Sequence, residues 1–344
     1  MRIVNKLLIS ILMAGFILLI FLFGYHFGSR KNPSQIEGLI KKSVNVTPEN
    51  IFEKYEIEKL NENLKRAHFS IADKLPPEEK FLPYVFKFTF SPAKDGEYKT
   101  TSGLLNLPSD YEVNKYPIVI LIRGYVDQNI YKTGMGSYNF GTFLANNGFI
   151  TIAPDFLGYA NSDSESSNIF ESRFQSYITI LSLLKSIEEG QIDSWDGKNI
   201  FIWGHSNGGQ IAITALEASQ KAYPTVLWAP VTKPFPYSVL YYTDESPDGG
   251  KLIRSELSKF ETMNDSDKFS LDKYLDRIQA KIQLHQGTAD DAVPVAWSDT
   301  FSKKLKKIEK EVDYHKYPGS DHDMRPSWNT VAERSLEFFN ANKQ

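Results

Sequence analysis

The 344-residue sequence predicts an α/β protein built on a mostly parallel, doubly wound sheet. Three observations carry that expectation. From Phe81 onward, short β-type runs alternate with helical patterns, as in parallel strands joined by helical crossovers. Pro117–Ile122 (PIVILI) is apolar without a break, as a strand covered on both faces must be. A composition of 41% hydrophobic and 24% charged residues can bury a core and excludes wholesale disorder.

The first 30 residues stand apart. Arg2 and Lys6 precede a charge-free run, Leu7–Phe23, and Ser29, Arg30 and Lys31 follow it. About 20 apolar residues span a bilayer. A cleaved signal has an apolar core of roughly 7–15 residues and a small-x-small site, which Gly24–Arg30 lacks. The expectation is an uncleaved signal anchor, a transmembrane helix within residues 1–30, with a cleaved signal as the alternative. Lys41 and Lys42 add to the charge beyond the run, so positive residues flank it on both sides and do not set its orientation. The downstream domain is expected outside the cytoplasm.

Residues 31–80 read as a juxtamembrane stalk, partly helical. Thr47-Pro48 is a helix start, because proline's missing N–H would be unpaired there anyway. Ile51, Phe52, Tyr55, Leu60 and Leu64 recur roughly on one helical face, expected to pack on the neighbouring domain. Pro76-Pro77 ends the segment, and residues 81–344 form the main domain.

Within that domain, Tyr84–Phe90 and Thr101–Leu107 form an opening strand pair around the turn residues Asp95-Gly96. Pro117–Ile122, Phe149–Ala153, Asn199–Trp203, Thr225–Trp228, Lys281–His285 and Val312–Tyr317 are the later strands. Helical patterns lie at Tyr138–Asn147, Ile169–Glu188, Gln210–Lys221 and Pro326–Asn340. Between about 231 and 278 the alternation breaks into an aromatic-rich cap insert, with Pro234, Pro236, Tyr237, Tyr241, Tyr242 and the turn Pro247–Gly250. Such an insert can cover the carboxyl ends of the strands, where open α/β sheets bind ligands.

A net charge of −3 gives no field for capturing nucleic acid. The absence of cysteine excludes disulfides, thiolate catalysis and cysteine-ligated metals. The chemistry therefore rests on oxygen and imidazole. Gly204-His205-Ser206-Asn207-Gly208 matches G-x-S-x-G, in which a serine sits on a strained strand-to-helix turn and the glycines spare it collisions. Alone the pattern occurs by accident in roughly one chain in ten of this length. A buried-strand pattern before it and an alanine-rich helix after it supply the context it needs.

A serine hydroxyl needs a base. Of the six histidines, His26 lies by the membrane and His68 in the stalk, His205 points away within the elbow, and His285 and His315 lie in strands. His322, on the loop Tyr317–Asp323 after the last strand, remains. A metal set at Asp321, His322 and Asp323 is disfavoured, since adjacent side chains diverge. The histidine needs a carboxylate to fix its tautomer, and Asp290 or Asp291, on the loop after Lys281–His285, can serve. The order Ser, Asp, His is that of α/β-hydrolases.

Gln286-Gly287-Thr288-Ala289-Asp290-Asp291-Ala292-Val293-Pro294 resembles the acid loop of the prolyl oligopeptidase family and related esterases. Gly208-Gly209 and the Pro-Gly-x-x-His approach to His322 are similar to that family too, and the likeness runs from about Phe81 to Asn340. It implies an α/β-hydrolase fold and selects Asp290 as the catalytic carboxylate. The sequence departs from the family in two places: Asn207 stands where an aromatic residue is frequent, and Arg123 replaces the usual histidine before Gly124. There is no room for the large propeller of the longer oligopeptidases.

The expected function is hydrolysis of a small-molecule ester or short peptide through an acyl-enzyme: Ser206 attacks, His322 shuttles the proton, and the Tyr125 and Asn207 N–H groups hold the oxyanion. No cofactor and no metal are implied. The alternative is an inactive hydrolase fold serving as a binding module at the membrane surface. A haloalkane-type hydrolase is disfavoured because the elbow carries serine and not aspartate. Phe235, Tyr237, Tyr241, Tyr242, Trp228 and Trp297 are candidates for an acyl site or for core. For the anchor, alkaline carbonate is expected to leave the full chain with membranes and to release a version starting at residue 31. Release of the full chain would contradict the anchor.

Overall fold

In the computed structural model, which describes residues 50–344, the alternation read from the sequence becomes a nine-stranded sheet. The strands are β1 His68–Lys74, β2 Phe81–Phe90, β3 Lys99–Pro108, β4 Tyr116–Ile122, β5 Ile150–Pro154, β6 Trp195–His205, β7 Thr225–Trp228, β8 Ile282–Gly287 and β9 Val312–Tyr317. They lie in the order β1-β2-β3-β5-β4-β6-β7-β8-β9. β1, β2, β3 and β5 pair antiparallel, and every pair from β5 through β4 to β9 is parallel. The parallel strands therefore deliver their carboxyl ends to one rim, with residues 123, 206, 290 and 322 on the loops just beyond β4, β6, β8 and β9.

The unbroken apolar run of β4 has a direct cause. Ile118, Ile120 and Ile122 point into one core cluster, together with Phe174, Ile178 and Ile213. Val119 and Leu121 point into the cluster on the other face, with Phe140, Leu144 and Phe339. Helices α2 (Ile169–Glu188), α3 (Asn207–Ser219) and α6 (Val295–Lys307) cover the first face, and α1 (Tyr138–Ala145) and α7 (Trp328–Ala341) the second. α2 starts at a good cap: Asn168 Oδ1 accepts from the Phe170 and Glu171 amides, at 3.0 and 3.1 Å.

Two expectations shift. The compact unit begins at Ile51 and not at residue 81. Phe52, Tyr55, Leu60 and Leu64 are buried as expected, but through a 3₁₀ turn at Glu53–Tyr55 and further turns, while Ile51 is exposed. β1 was not expected at all. It is an edge strand whose only buried residue is Phe69, so it shows no alternation, and its order comes from pairing with β2. Leu7–Phe23 and Thr47-Pro48 lie outside the described residues. Among the described residues, no helix is long and apolar enough to cross a membrane.

The insert after β7 holds the short helices α4 (Tyr237–Tyr241) and α5 (Lys251–Glu261) and four 3₁₀ turns before β8. Its Phe235, Phe260 and Phe269 join Phe170 and Phe174 of α2 in an aromatic cluster with ring centroids 4.9–6.4 Å apart. Phe52 closes that cluster, 4.9 Å from the Phe260 ring and 6.1 Å from Phe174. The Ile57 amide also donates to Lys268 O at 2.9 Å. The segment before β1 thus ties the insert to α2. Truncating Phe52 to alanine is expected to cost about 3–5 kcal/mol in urea unfolding; a loss below about 1 kcal/mol would show that the segment is merely laid on the surface.

Candidate active site

β6 runs into a backbone that few residues adopt: Ser206 has φ 55° and ψ −122° and caps α3. Its amide donates to Trp228 O at 3.0 Å, and its carbonyl accepts from Val231 N at 2.9 Å, so β7 and the chain after it hold the turn. The expected crowding is present. A Cβ on Gly208 would lie 2.0 Å from Ile122 O, one on Gly204 2.8 Å from Gly208 O, and one on Gly209 2.4 Å from Pro230 Cβ. The loop after β4 also closes on the elbow, because a Cβ on Gly124 would sit 2.9 Å from Ser206 Cβ. Tyr125 follows on that loop, and Asn207 is the first residue of α3, where a backbone N–H has no partner within the helix.

The loops after β8 and β9 are locked together. A Cβ on Gly287 would collide with Ser320 O at 2.3 Å. The Thr288 amide donates to Tyr317 O at 3.0 Å, Ala289 N to Ser320 O at 2.9 Å, and Gly319 N to Thr288 Oγ1 at 2.9 Å. This brings Asp290 to His322: Nδ1–H of the imidazole donates to the carboxylate, 3.0 and 3.1 Å from its two oxygens. The Asp290 side chain is fully buried and His322 is 21% exposed. Asp290 also accepts from the Ala292 and Val293 amides and from Gln286 Nε2, at 2.8–3.0 Å. Burial by itself would raise the Asp290 pKa. The bonds from His322, Val293 and Gln286 outweigh it, and the group stays ionised below its usual range. Asp291 is exposed and takes no part in that bond.

Ser206 Oγ forms no hydrogen bond to His322 among the described residues. Catalytic bonds are often long or misaligned before substrate binds, so the spacing alone does not separate the two groups chemically. What places His322 near the elbow is His205. Its Nε2–H donates to His322 O at 3.0 Å, and the two rings lie 4.7 Å apart. His205 thus bonds the backbone of the expected base. Sequence reasoning missed this, since the x position of the elbow carries no signal of what folds over it.

The cavity beside the elbow has about 180 Å³ of space and polar walls, including Arg123, Glu165, Ser172, Arg173, Gln175 and Asn207. These walls come from the loops after β4 and β5, from α2 and from the first turns of α3. The insert, expected over the strand ends, contributes no residue to them. Glu165 accepts from Gln128 Nε2 at 2.8 Å and from the Ser172 hydroxyl, and Arg173 Nη2 donates to Gln210 Oε1 at 2.5 Å. Of the aromatic candidates, Phe235 and Trp228 are core. Tyr241, Tyr242 and Trp297 pack on one another, with Tyr242 Oη donating to Ala292 O of the acid loop at 3.0 Å.

The prolyl oligopeptidase family matches the sequence over residues 137–343. No curated protein matches it. Among solved structures, acetyl xylan esterase 1 from Thermoanaerobacterium sp. JW/SL YS485 superposes with a TM-score of 0.61 and 13% identity, covering 85% of this chain and 94% of that one. An S-formylglutathione hydrolase from Agrobacterium tumefaciens gives 0.56 and 14%, covering 79% and 99%. A protein described as a dipeptidyl aminopeptidase IV from Bacteroides ovatus ATCC 8483 gives 0.57 and 13%, over 81% of this chain. The chain spans only 44% of that last protein's length. These likenesses establish the α/β-hydrolase fold.

His205 has a pH signature. Burial first, and the neighbouring His322 second, push its pKa from 6.5 down to about 4. A base with a depressed pKa leaves the unfolded chain binding a proton that the folded chain refuses, so stability is lost as pH falls from about 6.5 to about 4. Glutamine at 205 keeps an N–H donor without the titration. His205→Gln is expected to lose stability less steeply across that window, by one proton per molecule in urea titrations. An unchanged slope would assign the loss elsewhere.

Proposed function

Because the chain belongs to the prolyl oligopeptidase family, we propose that it is a serine hydrolase cleaving esters with a short acyl group. The observation that carries this reading is the bond from His322 Nδ1–H to the ionised Asp290 carboxylate, on the same rim as the strained Ser206 elbow. That bond fixes the imidazole in the tautomer that leaves Nε2 free to accept a proton. Ser206 Oγ attacks the substrate carbonyl carbon while its proton passes to His322 Nε2. The carbonyl oxygen, now an anion, is held by the Tyr125 and Asn207 amides, as preorganised donors hold developing charge. Collapse expels the alcohol, which takes the proton from His322, and leaves an acyl-Ser206 ester. Water, deprotonated by His322, then releases the acid and restores the hydroxyl.

The small polar cavity beside Asn207 supports a short acyl group over a long hydrocarbon chain. The likeness to an acetyl xylan esterase and an S-formylglutathione hydrolase supports an ester. The peptidase reading keeps the support of the family itself. We further propose single-pass membrane attachment through Leu7–Phe23, with this domain extracytoplasmic. Purified protein should hydrolyse p-nitrophenyl acetate faster than an aminoacyl p-nitroanilide. Ser206→Ala should abolish turnover, and Asp290→Asn should cost about 10⁴ in kcat, with Asp291→Asn near wild type. Turnover surviving in Ser206→Ala would refute the assignment, and no turnover in the wild type would favour the binding-module alternative.

A further inference from the structure

Arg123 is 5% exposed, and none of the ion pairs among the described residues involves it. Its guanidinium packs on two rings that meet edge to face, 4.0 Å from the Tyr159 centroid and 4.4 Å from Tyr131, with Phe156 at 5.5 Å. Nη2 donates to Asp155 O at 2.8 Å and Nη1 to Gly124 O at 2.9 Å, while Nε–H is buried without a partner. Beneath it, the buried Asp155 carboxylate accepts from Tyr131 Oη at 2.7 Å, Ser102 Oγ at 2.6 Å, Thr133 Oγ1 at 3.0 Å and Gly134 N at 3.1 Å. The rings and this hydrogen-bonded carboxylate form a cage for the guanidinium. A buried cation with no ion-pair partner is a poor stabiliser for its desolvation cost, which points to a use beyond stability.

The use follows from peptide geometry. Gly124 O and the Tyr125 N–H belong to one planar peptide unit, and it is trans, so the two groups point in opposite directions. A guanidinium that holds Gly124 O on the cage side turns the Tyr125 N–H to the other side. Gly124 packs on Ser206, and Tyr125 and Asn207 share the walls of the small cavity, which Arg123 and Tyr159 line as well. We infer that Arg123 is a positioning residue for the oxyanion site: packed on Tyr131 and Tyr159, it fixes the peptide plane that presents the Tyr125 N–H. The inference rests on the serine-hydrolase reading above. It also gives a physical role to the arginine that stands where the resembled family has histidine.

The test uses Arg123→Lys and Tyr159→Leu, with functional sites counted by fluorophosphonate labelling of Ser206. A lysine keeps the charge but lacks the planar fork that reaches both carbonyls while packed on the two rings. Its kcat per labelled site is expected to fall about 10²–10³-fold, the size of losing one oxyanion donor, with KM nearly unchanged. Affinity for a trifluoromethyl ketone, which forms a tetrahedral oxyanion on serine, should fall in parallel. Tyr159→Leu, which removes one wall of the cage, should show a smaller loss of the same kind. Unchanged kcat per labelled site, whether or not fewer sites survive, would overturn the role of Arg123 and leave the hydrolase reading intact. So would a rise in KM at constant kcat. Failure of the wild type to label would instead strike the hydrolase reading itself.

Discussion

The site depends on one constraint, the close passage of three backbones at the turn after β6. Ser206 occupies a φ/ψ region that costs of order 1–3 kcal/mol and persists only where the surroundings over-determine it. The surroundings do so. Its amide and carbonyl are tied to Trp228 and Val231, and Ile122 O reaches within 2.0 Å of where a side chain on Gly208 would begin. The glycines at 204, 208 and 209 are thus demands of space. They also let the end of β4 lie against the elbow, which is how a loop from a neighbouring strand supplies the second oxyanion donor proposed for the site.

The same logic sets the other half. Gly287 lets the loops after β8 and β9 touch backbone to backbone, and that contact brings the buried carboxylate of Asp290 to His322. His205 holds the same loop through His322 O. Both halves hang on parallel strands whose ends share a rim, and β4, apolar on both faces, sits near the middle of that arrangement.

Much of this was legible in the chain. The strands and helices from Phe81 onward, the elbow, and the order Ser206, Asp290, His322 follow from local patterns that recur wherever this fold does. The choice of Asp290 over Asp291 needed resemblance, since both lie on one loop, and the bond to His322 now distinguishes them. What escaped has a common physical cause: it is specified by tertiary contact. β1 is ordered by its neighbour and not by its own alternation. The residues after Asn50 read as a stalk because their apolar spacing resembles a surface helix, whereas turns bury them against Phe174 and Phe260. Asp155 and Arg123 lie 32 residues apart, and nothing in either stretch announces that they share a cage.

The central claim is that one hydroxyl in the chain, that of residue 206, carries the covalent step. The most direct measurement is peptide mapping by mass spectrometry after brief acid quenching of protein turning over an ester. A single acyl adduct on the peptide containing Ser206, absent when Asp290 is replaced by asparagine, is the expected result. An adduct on another residue, or turnover with no adduct under conditions that trap the acyl form of known serine esterases, would contradict it.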